Sequence, residues 1–209
     1  DISVTTSKSF MDEGVQILTV IANKIDVDKE EEVREQLKKA LPEGLIITSI
    51  PSNKDLANPT MKEIADSVGG KVLFGEQLLS NQVDTSIVGA MQLHNCLSRL
   101  QKNTLIVTPG DRGDIIIGAL QANISKNYQK ISGIILTGGM TPEQTIMKLI
   151  EGLETVVPII QTDSGTFKTV NRVATTQSRI TLGNKEKIAL AISMFDKYVD
   201  VKSLEKKII

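Results

Sequence analysis

Two turns that carry polar and acidic side chains beside glycine are the part of this sequence best suited to chemistry. The first, TPGDRGD, spans residues 108–114, and the second, LTGG, spans residues 136–139. Each turn follows an apolar, β-branched run and precedes residues with helical spacing, so each predicts a strand, a turn and a helix. The two turns therefore direct two helix N-termini outward from one edge of a predicted sheet.

These turns contain the groups that an anion-binding site uses. A helix N-terminus offers unpaired backbone N–H groups and partial positive charge, and glycine lets the backbone approach a ligand closely. The guanidinium of Arg112 is suited to bind a phosphate or a carboxylate through two parallel hydrogen bonds. The candidate residues for ligand binding or for a subunit interface are Thr108, Gly110, Asp111, Arg112, Asp114, Thr137, Gly138 and Gly139.

A purely structural interpretation explains the same residues equally well. Asp111 or Asp114 would cap the helix that follows the first turn, and Arg112 would pair with one of these carboxylates. No acid and base stand beside a nucleophile, so the sequence predicts no catalytic residue. We expect either a ligand crevice at the carboxyl ends of the strands or a pair of capped turns.

The tetrapeptide NKID, at residues 23–26, has the form of the guanine-reading motif of GTP-binding proteins. Such proteins also need a phosphate-binding loop of the form GxxxxGK[ST], and this sequence contains none. A small GTPase-like enzyme is therefore not supported. We expect NKID to form a turn at the end of a strand.

Composition narrows the function classes further. The 209 residues carry a formal net charge of −1 and 3% aromatic residues, which indicates no nucleic-acid partner. The single cysteine, Cys96, can form no internal disulfide, and with the single histidine, His94, it is too little for a zinc site. We expect His94 to be partly buried and Cys96 to be packed, both without a functional role. No apolar run approaches the roughly 20 residues of a membrane span, so we expect a cytoplasmic protein without a membrane partner, a metal or a cofactor.

Strand and helix patterns alternate along the chain. Strands are predicted at residues 15–22, 45–51, 71–76, 104–108, 131–139 and 155–163. Helices are predicted at residues 29–41, 58–68, 86–100, 115–124, 141–153, 167–174 and 184–199. Because parallel neighbours need crossover connections, this order predicts an α/β fold with a parallel or mixed sheet flanked by helices. A polar connector at residues 78–83 predicts a domain boundary.

The motifs GDRGD and LTGG together resemble the DRTGG domain, a family named for its Asp-Arg and Thr-Gly-Gly residues. The upstream part, with NKID and IPSNKDLANPTMKEIADSVGG, resembles the carboxyl half of the dethiobiotin-synthetase-like P-loop domain that precedes DRTGG in long bacterial phosphate acetyltransferases. The resemblance implies a partial P-loop-type lobe at residues 1–77 without its phosphate loop, followed by a three-layer DRTGG domain at residues 78–200. It also implies that residues 201–209 are a linker toward a catalytic domain that this chain does not contain.

The resemblance also implies a function. Long phosphate acetyltransferases move an acetyl group between coenzyme A and phosphate, and the resembling region is their non-catalytic regulatory and oligomerisation part. The implied partners are a second copy in a dimer through the DRTGG domain, the transferase domain of the same enzyme, and a small-metabolite effector. The alternative is a stand-alone DRTGG module that senses an adenine nucleotide or another phosphate-bearing metabolite.

Overall fold

The computed structural model describes residues 2–180 and 184–208 of the chain. Its internal contacts divide the chain into two compact units, Asp1–Leu56 with Ile180–Ile209, and Ala57–Arg179. Each unit contains one sheet and its own helices. The prediction of an α/β fold with parallel and mixed sheets flanked by helices is confirmed.

The first unit contains a two-stranded parallel sheet. Strand β1 (Thr19–Ile25) begins later than predicted and runs into NKID, and it pairs in parallel with β2 (Ile46–Pro51). Helix α2 (Glu30–Ala40) forms the crossover between them, as parallel pairing requires. The other described helices of this unit are α1 (Ile2–Asp12), α9 (Lys185–Tyr198) and α10 (Val201–Ile208), and the short helix α3 (Lys54–Ala57) ends at the boundary of the unit.

The second unit contains a five-stranded mixed sheet in the order β3-β7-β6-β5-β4. Its strands are β3 (Lys71–Phe74), β4 (Thr85–Val88), β5 (Thr104–Pro109), β6 (Ile131–Thr137) and β7 (Ile159–Gln161). Strands β4 to β7 are parallel, and β3 pairs antiparallel with β7. The parallel strands therefore end at one common edge, and the loops that follow them meet there.

Helices cover both faces of this sheet, which gives the three layers that the resemblance implied. Strand side chains alternate between two apolar cores, as the period of two in a strand requires. Ile106 of β5 packs in one core with Ile115, whereas Leu105 and Val107 of the same strand pack in the other core with Met61. The first core is completed by helices α5 (Leu93–Leu97), α6 (Gly113–Ile124) and α7 (Gln144–Glu151), and the second by α4 (Met61–Val68) and α8 (Thr166–Thr175).

The compact units divide the chain differently from the boundary predicted at residue 78. Helix α4 buries Ile64 and Val68 in the second core, and β3 pairs with β7, so residues 57–77 are built into the second unit. Residues 180–209 lie in the first unit, and much of the predicted linker is helix α10. The assignment of residues 1–77 to a P-loop-type domain stays a prediction.

The predicted helix at residues 86–100 is wrong in its first part. Thr85, Ile87 and Val88 are β-branched, and they form strand β4 beside β5. Pairing with a buried neighbouring strand outweighs the helical spacing of this segment. The helix that remains is α5, and it covers only Leu93–Leu97.

Candidate functional site

The four loops that follow β4, β5, β6 and β7 form one cluster at the carboxyl edge of the sheet. These loops are residues 89–92, 110–112, 138–143 and 162–165, and we call them the carboxyl-edge loops. Parallel strands bring their carboxyl ends to the same edge, and both predicted turns therefore lie in this cluster. This is the place where open α/β sheets bind ligands.

Arg112 binds internal partners with all three of its guanidinium nitrogens. Its Nε donates to Asp114 Oδ1 at 2.8 Å, and its Nη2 donates to Asp114 Oδ2 at 2.8 Å. Its Nη1 donates to the Ala90 carbonyl at 3.1 Å and more weakly to the Gly89 carbonyl at 3.5 Å, and its Nη2 donates to the Met91 carbonyl at 2.8 Å. A guanidinium has five N–H groups, so these bonds occupy its donor capacity. Arg112 thus ties the start of α6 to the loop after β4.

The ion pair between Arg112 and Asp114 is partly open to solvent, with side-chain exposed fractions of 27% and 50%. The hydrogen bond from Arg112 lowers the pKa of Asp114 against the opposing effect of desolvation, and the backbone N–H of Ile115 lowers it further. The same hydrogen bond raises the pKa of Arg112. Both shifts favour the charged pair, and the partial positive charge at the N-terminus of α6 further stabilises the Asp114 carboxylate.

The second turn uses its glycines to bind the loop after β7. Gly138 and Gly139 have φ values of 82° and 68°, a left-handed conformation that favours glycine. This conformation turns the Gly138 N–H to the Ser164 carbonyl and the Gly139 N–H to the Thr162 carbonyl, both at 3.0 Å. These two amides are therefore bonded within the protein rather than open toward a ligand.

The two threonines of the predicted turns are buried, and each hydroxyl forms a hydrogen bond to a neighbouring element. Thr108 Oγ1 donates to the Gly89 carbonyl at 2.9 Å. Thr137 Oγ1 shares a hydrogen bond of 2.8 Å with Thr166 Oγ1, at the first residue of α8. Each threonine thus fastens its strand end to a neighbouring element.

The two turns contact each other through their backbones. A Cβ atom at Gly110 would lie 1.9 Å from the Met140 carbonyl oxygen, so only glycine allows this approach. The Gly110 N–H also points to the Thr137 carbonyl at 3.4 Å. Of the predicted site residues, the structure places Asp111 at the exposed tip of the first turn, and it brings the others into this contact network.

Several partners in this network were not predicted from the sequence. The carbonyls of residues 89–91 accept from Arg112, and backbone acceptors leave no signature in a sequence. Gln161 Nε2 donates to the Gly139 carbonyl at 3.1 Å and to Thr141 Oγ1 at 2.9 Å. The sequence did contain a signal for the loop after β7. Residues 162–165, TDSG, form a polar turn between a strand and a helix, as the two predicted turns do.

Cys96, His94 and the NKID motif are not part of the contact network of the two turns. Burial raises the pKa of Cys96, which is packed as expected, whereas His94 is exposed rather than partly buried. In NKID, Asn23 Oδ1 accepts from the Lys24 N–H at 2.8 Å, and Lys24 has a φ of 61°. Residues 23–25 of the motif belong to strand β1, whose register shifts at Lys24, so most of NKID is an irregular strand end rather than the turn expected after the strand.

The described part of the chain contains neither a metal-binding group of side chains nor a helix suited to span a membrane. Among residues 2–180 and 184–208, no three His, Cys, Asp or Glu side chains are grouped so as to hold a metal ion. Within the same ranges, no helix combines the length and the apolar content that crossing a membrane requires.

Phosphate acetyltransferases are among the relatives of the chain. It is 37% identical over 198 residues to the phosphate acetyltransferase of Synechocystis sp.. The matched region covers 94% of this chain and 28% of that protein. It is 33% identical over 205 residues to the phosphate acetyltransferase of Nitratidesulfovibrio vulgaris. The matched region covers 95% of this chain and 29% of that protein. The chain thus spans less than a third of the length of these relatives.

Among solved structures, the chain is similar to the CBS and DRTGG domains of the regulatory region of Clostridium perfringens pyrophosphatase, complexed with its activator diadenosine tetraphosphate. That similarity has 15% sequence identity and a TM-score of 0.46, and it covers 78% of this chain and 75% of the other. The sequence profile of the DRTGG domain matches residues 63–176, which is more than half of the chain and includes both turns. This chain belongs to the DRTGG domain family.

Proposed function

We propose that this chain is the non-catalytic regulatory and oligomerisation region of a phosphate acetyltransferase. The observation that carries the proposal is its similarity to two such enzymes over 94% and 95% of the chain. In this proposal, the parent enzyme converts acetyl-CoA and phosphate to acetyl phosphate and coenzyme A in the cytoplasm. In this proposal, the acetyl transfer takes place on a domain that lies outside this chain.

The bonds of the two turns support a structural role for them. Arg112 gives its hydrogen bonds to Asp114 and to the carbonyls of residues 89–91, and the amides of Gly138 and Gly139 bind the loop after β7. A phosphate would have to displace these partners to reach the same donors. We therefore infer that the turns hold the carboxyl-edge loops in one arrangement, and that this edge presents a protein surface.

Exposed apolar side chains on and beside these loops support a protein partner. Met91 and Met140 are 39% and 38% exposed, and Phe167, in the first turn of α8, is 82% exposed. Contiguous exposed apolar patches are a feature of interaction sites, and in this proposal these three side chains contribute to such a patch at the carboxyl edge. The partner in this proposal is a second copy of the chain or the transferase domain of the same enzyme.

The isolated chain tests the proposal in two ways. We expect no formation of acetyl phosphate from acetyl-CoA and phosphate, and measurable turnover would overturn the non-catalytic assignment. We also expect that adenine nucleotides, coenzyme A, pyruvate and NADH cause no rise in melting temperature that depends on Arg112. A rise that Arg112→Ala abolishes would instead support the alternative, a module that senses a phosphate-bearing metabolite.

A further inference from the structure

Helix α9 carries a stripe of side chains that stays exposed within the described part of the chain. The stripe follows one side of the helix, at spacings of four, three and four residues, and consists of Lys185, Ala189, Ile192 and Asp196. Ile192 at its centre is 57% exposed, whereas Lys187 on the opposite side of the helix is 3% exposed. We call these four residues the α9 stripe, and it presents an apolar centre between a cation and an anion.

The α9 stripe has one apolar and one charged flank. At 3.6 residues per turn, Ile188 and the 42% exposed Phe195 lie along one flank. Glu186 and Lys197, both exposed, lie along the other flank. Among residues 2–180 and 184–208, the charged side chains of the stripe and of this flank form no ion pair. Their charges are therefore available to a partner.

We propose that two copies of this chain associate by antiparallel packing of their α9 stripes about a two-fold axis near Ala191. A two-fold axis requires a surface that matches itself when it is turned end to end. At the centre of this contact, Ile192 of each copy packs against the small Ala189 of the other. A small side chain allows the close approach of packed helices, whose axes lie roughly 8–10 Å apart.

The charges of the α9 stripe identify the occupant as a second copy. The axis places Lys185 of one copy opposite Asp196 of the other, and it repeats this pair at the other end of the contact. It also brings Glu186 toward Lys197 of the other copy, and it turns the two apolar flanks toward each other. A parallel packing would instead place like charges side by side, which is unfavourable. The order of charges along α9 therefore selects the antiparallel arrangement.

This contact differs from the dimer through the DRTGG domain that the family resemblance implies. Helix α9 lies outside residues 63–176, which match the DRTGG profile, and it belongs to the first compact unit. The inference rests on the oligomerisation role proposed above, and it adds to that role a contact surface that the family match does not cover.

Carbodiimide cross-linking of the 209-residue chain tests the inference, because this reagent joins a lysine amine directly to a neighbouring carboxylate. Within one α9 helix, Lys185 and Asp196 are about three turns apart, roughly 16 Å. A direct link between these two side chains must therefore join two copies. We expect mass spectrometry to find this link in cross-linked dimers. The internal control is the pair of Lys38 and Glu35, 2.9 Å apart in one chain, which should also link in monomers.

Charge reversal tests the same contact by light scattering over a range of protein concentrations. Lys185→Glu or Asp196→Lys places like charges opposite each other at both ends of the contact. Each change should raise the dissociation constant of the dimer about tenfold or more. The double variant restores opposite charges and should recover most of the affinity. Lys126→Glu, a reversal at an exposed lysine of the second unit, is the control and should leave the dissociation constant unchanged.

Three results would overturn the inference. They are a chain that stays monomeric at all concentrations, a dimer that lacks the Lys185–Asp196 link although the internal control links, and single reversals that bind as tightly as the unaltered chain. A dimer without the link would still agree with the oligomerisation role. Acetyl transfer tests the non-catalytic assignment independently of α9, so a failure of this inference is distinguishable from a failure of the proposed function.

Discussion

Replacing Arg112 by alanine removes the guanidinium that joins α6 to the loop after β4. The change breaks the bidentate pair with Asp114 and leaves the carbonyls of Ala90 and Met91 without these donors. We expect a folded but less stable protein, because the loop after β4 loses its main side-chain anchor. The apolar cores on either side of the sheet do not include Arg112 and should remain intact.

The magnitude follows from the partial exposure of the site. An exposed ion pair contributes about 0.2–1 kcal/mol. Hydrogen bonds from a charged donor contribute about 1.5–3 kcal/mol each when buried. Because the carbonyls of Ala90 and Met91 can regain water when Arg112 is removed, we expect their bonds together to contribute only the lower part of that range. The free energy of unfolding should fall by about 1–3 kcal/mol, which lowers the melting temperature by about 4 °C per kcal/mol in a unit of this size.

Urea unfolding followed by circular dichroism measures this loss. Arg99→Ala is the matched control, because Arg99 is an exposed arginine whose Nη1 donates to one carbonyl, that of Asn95 at 2.7 Å. The control should change the unfolding free energy by less than about 0.5 kcal/mol. Arg112→Lys should recover little stability, since an ammonium cannot reproduce the planar fork of the guanidinium. Equal effects of Arg112→Ala and Arg99→Ala would refute this account of the loop.

Three other substitutions, with Gly165→Ala as a control, test the same network. Because Arg112 lowers the pKa of Asp114, the stability from this carboxylate is present above the pKa of an unfolded aspartate, about 3.9, and is lost as the pH falls through the lower folded value. The difference in unfolding free energy between the native chain and Asp114→Asn should therefore be full at neutral pH and shrink below about pH 4, and a constant difference would contradict the pairing. Gly110→Ala should cost more than about 3 kcal/mol or prevent folding, because its Cβ would lie 1.9 Å from the Met140 carbonyl oxygen. Gly165→Ala, at a position with nothing within 4 Å of the added Cβ, should be near neutral in the same thermal melts. Gly138→Ala should cost about 1–2 kcal/mol because φ is 82° there, and an unchanged melting temperature would be inconsistent with the left-handed turn.

The strands and helices of the second unit were predictable where burial dictates the spacing of apolar residues. The runs that became β5 and β6 are rich in β-branched residues, and every residue of β6 is buried. Strand β4 was not predictable in the same way, because its four residues also fit a helical spacing and only the pairing with β5 decides between the two. The antiparallel partner of β3 is likewise set by a strand far along the chain, which no local pattern encodes.

The proximity of the two turns was predictable from the sequence, whereas their bonding was not, and a functional role for these residues stays a prediction. Seven of the eight predicted residues lie in one contact network at the carboxyl edge, as two turns after adjacent parallel strands require. The sequence left open whether Arg112 binds a ligand or a carboxylate of its own turn. That choice depends on the carbonyls of residues 89–91, whose position is fixed by β4 and has no side-chain signature.

The central claim is that this chain belongs to the regulatory and oligomerisation region of a phosphate acetyltransferase rather than to its catalytic part. The most direct measurement is acetyl phosphate formation by the longer enzyme that this proposal expects to contain the chain, compared with a version from which this region is deleted. We predict that the deletion variant still forms acetyl phosphate but has a smaller assembly and a changed response to metabolites. Loss of acetyl transfer in a folded deletion variant, or an assembly and response that are both unchanged, would contradict the claim.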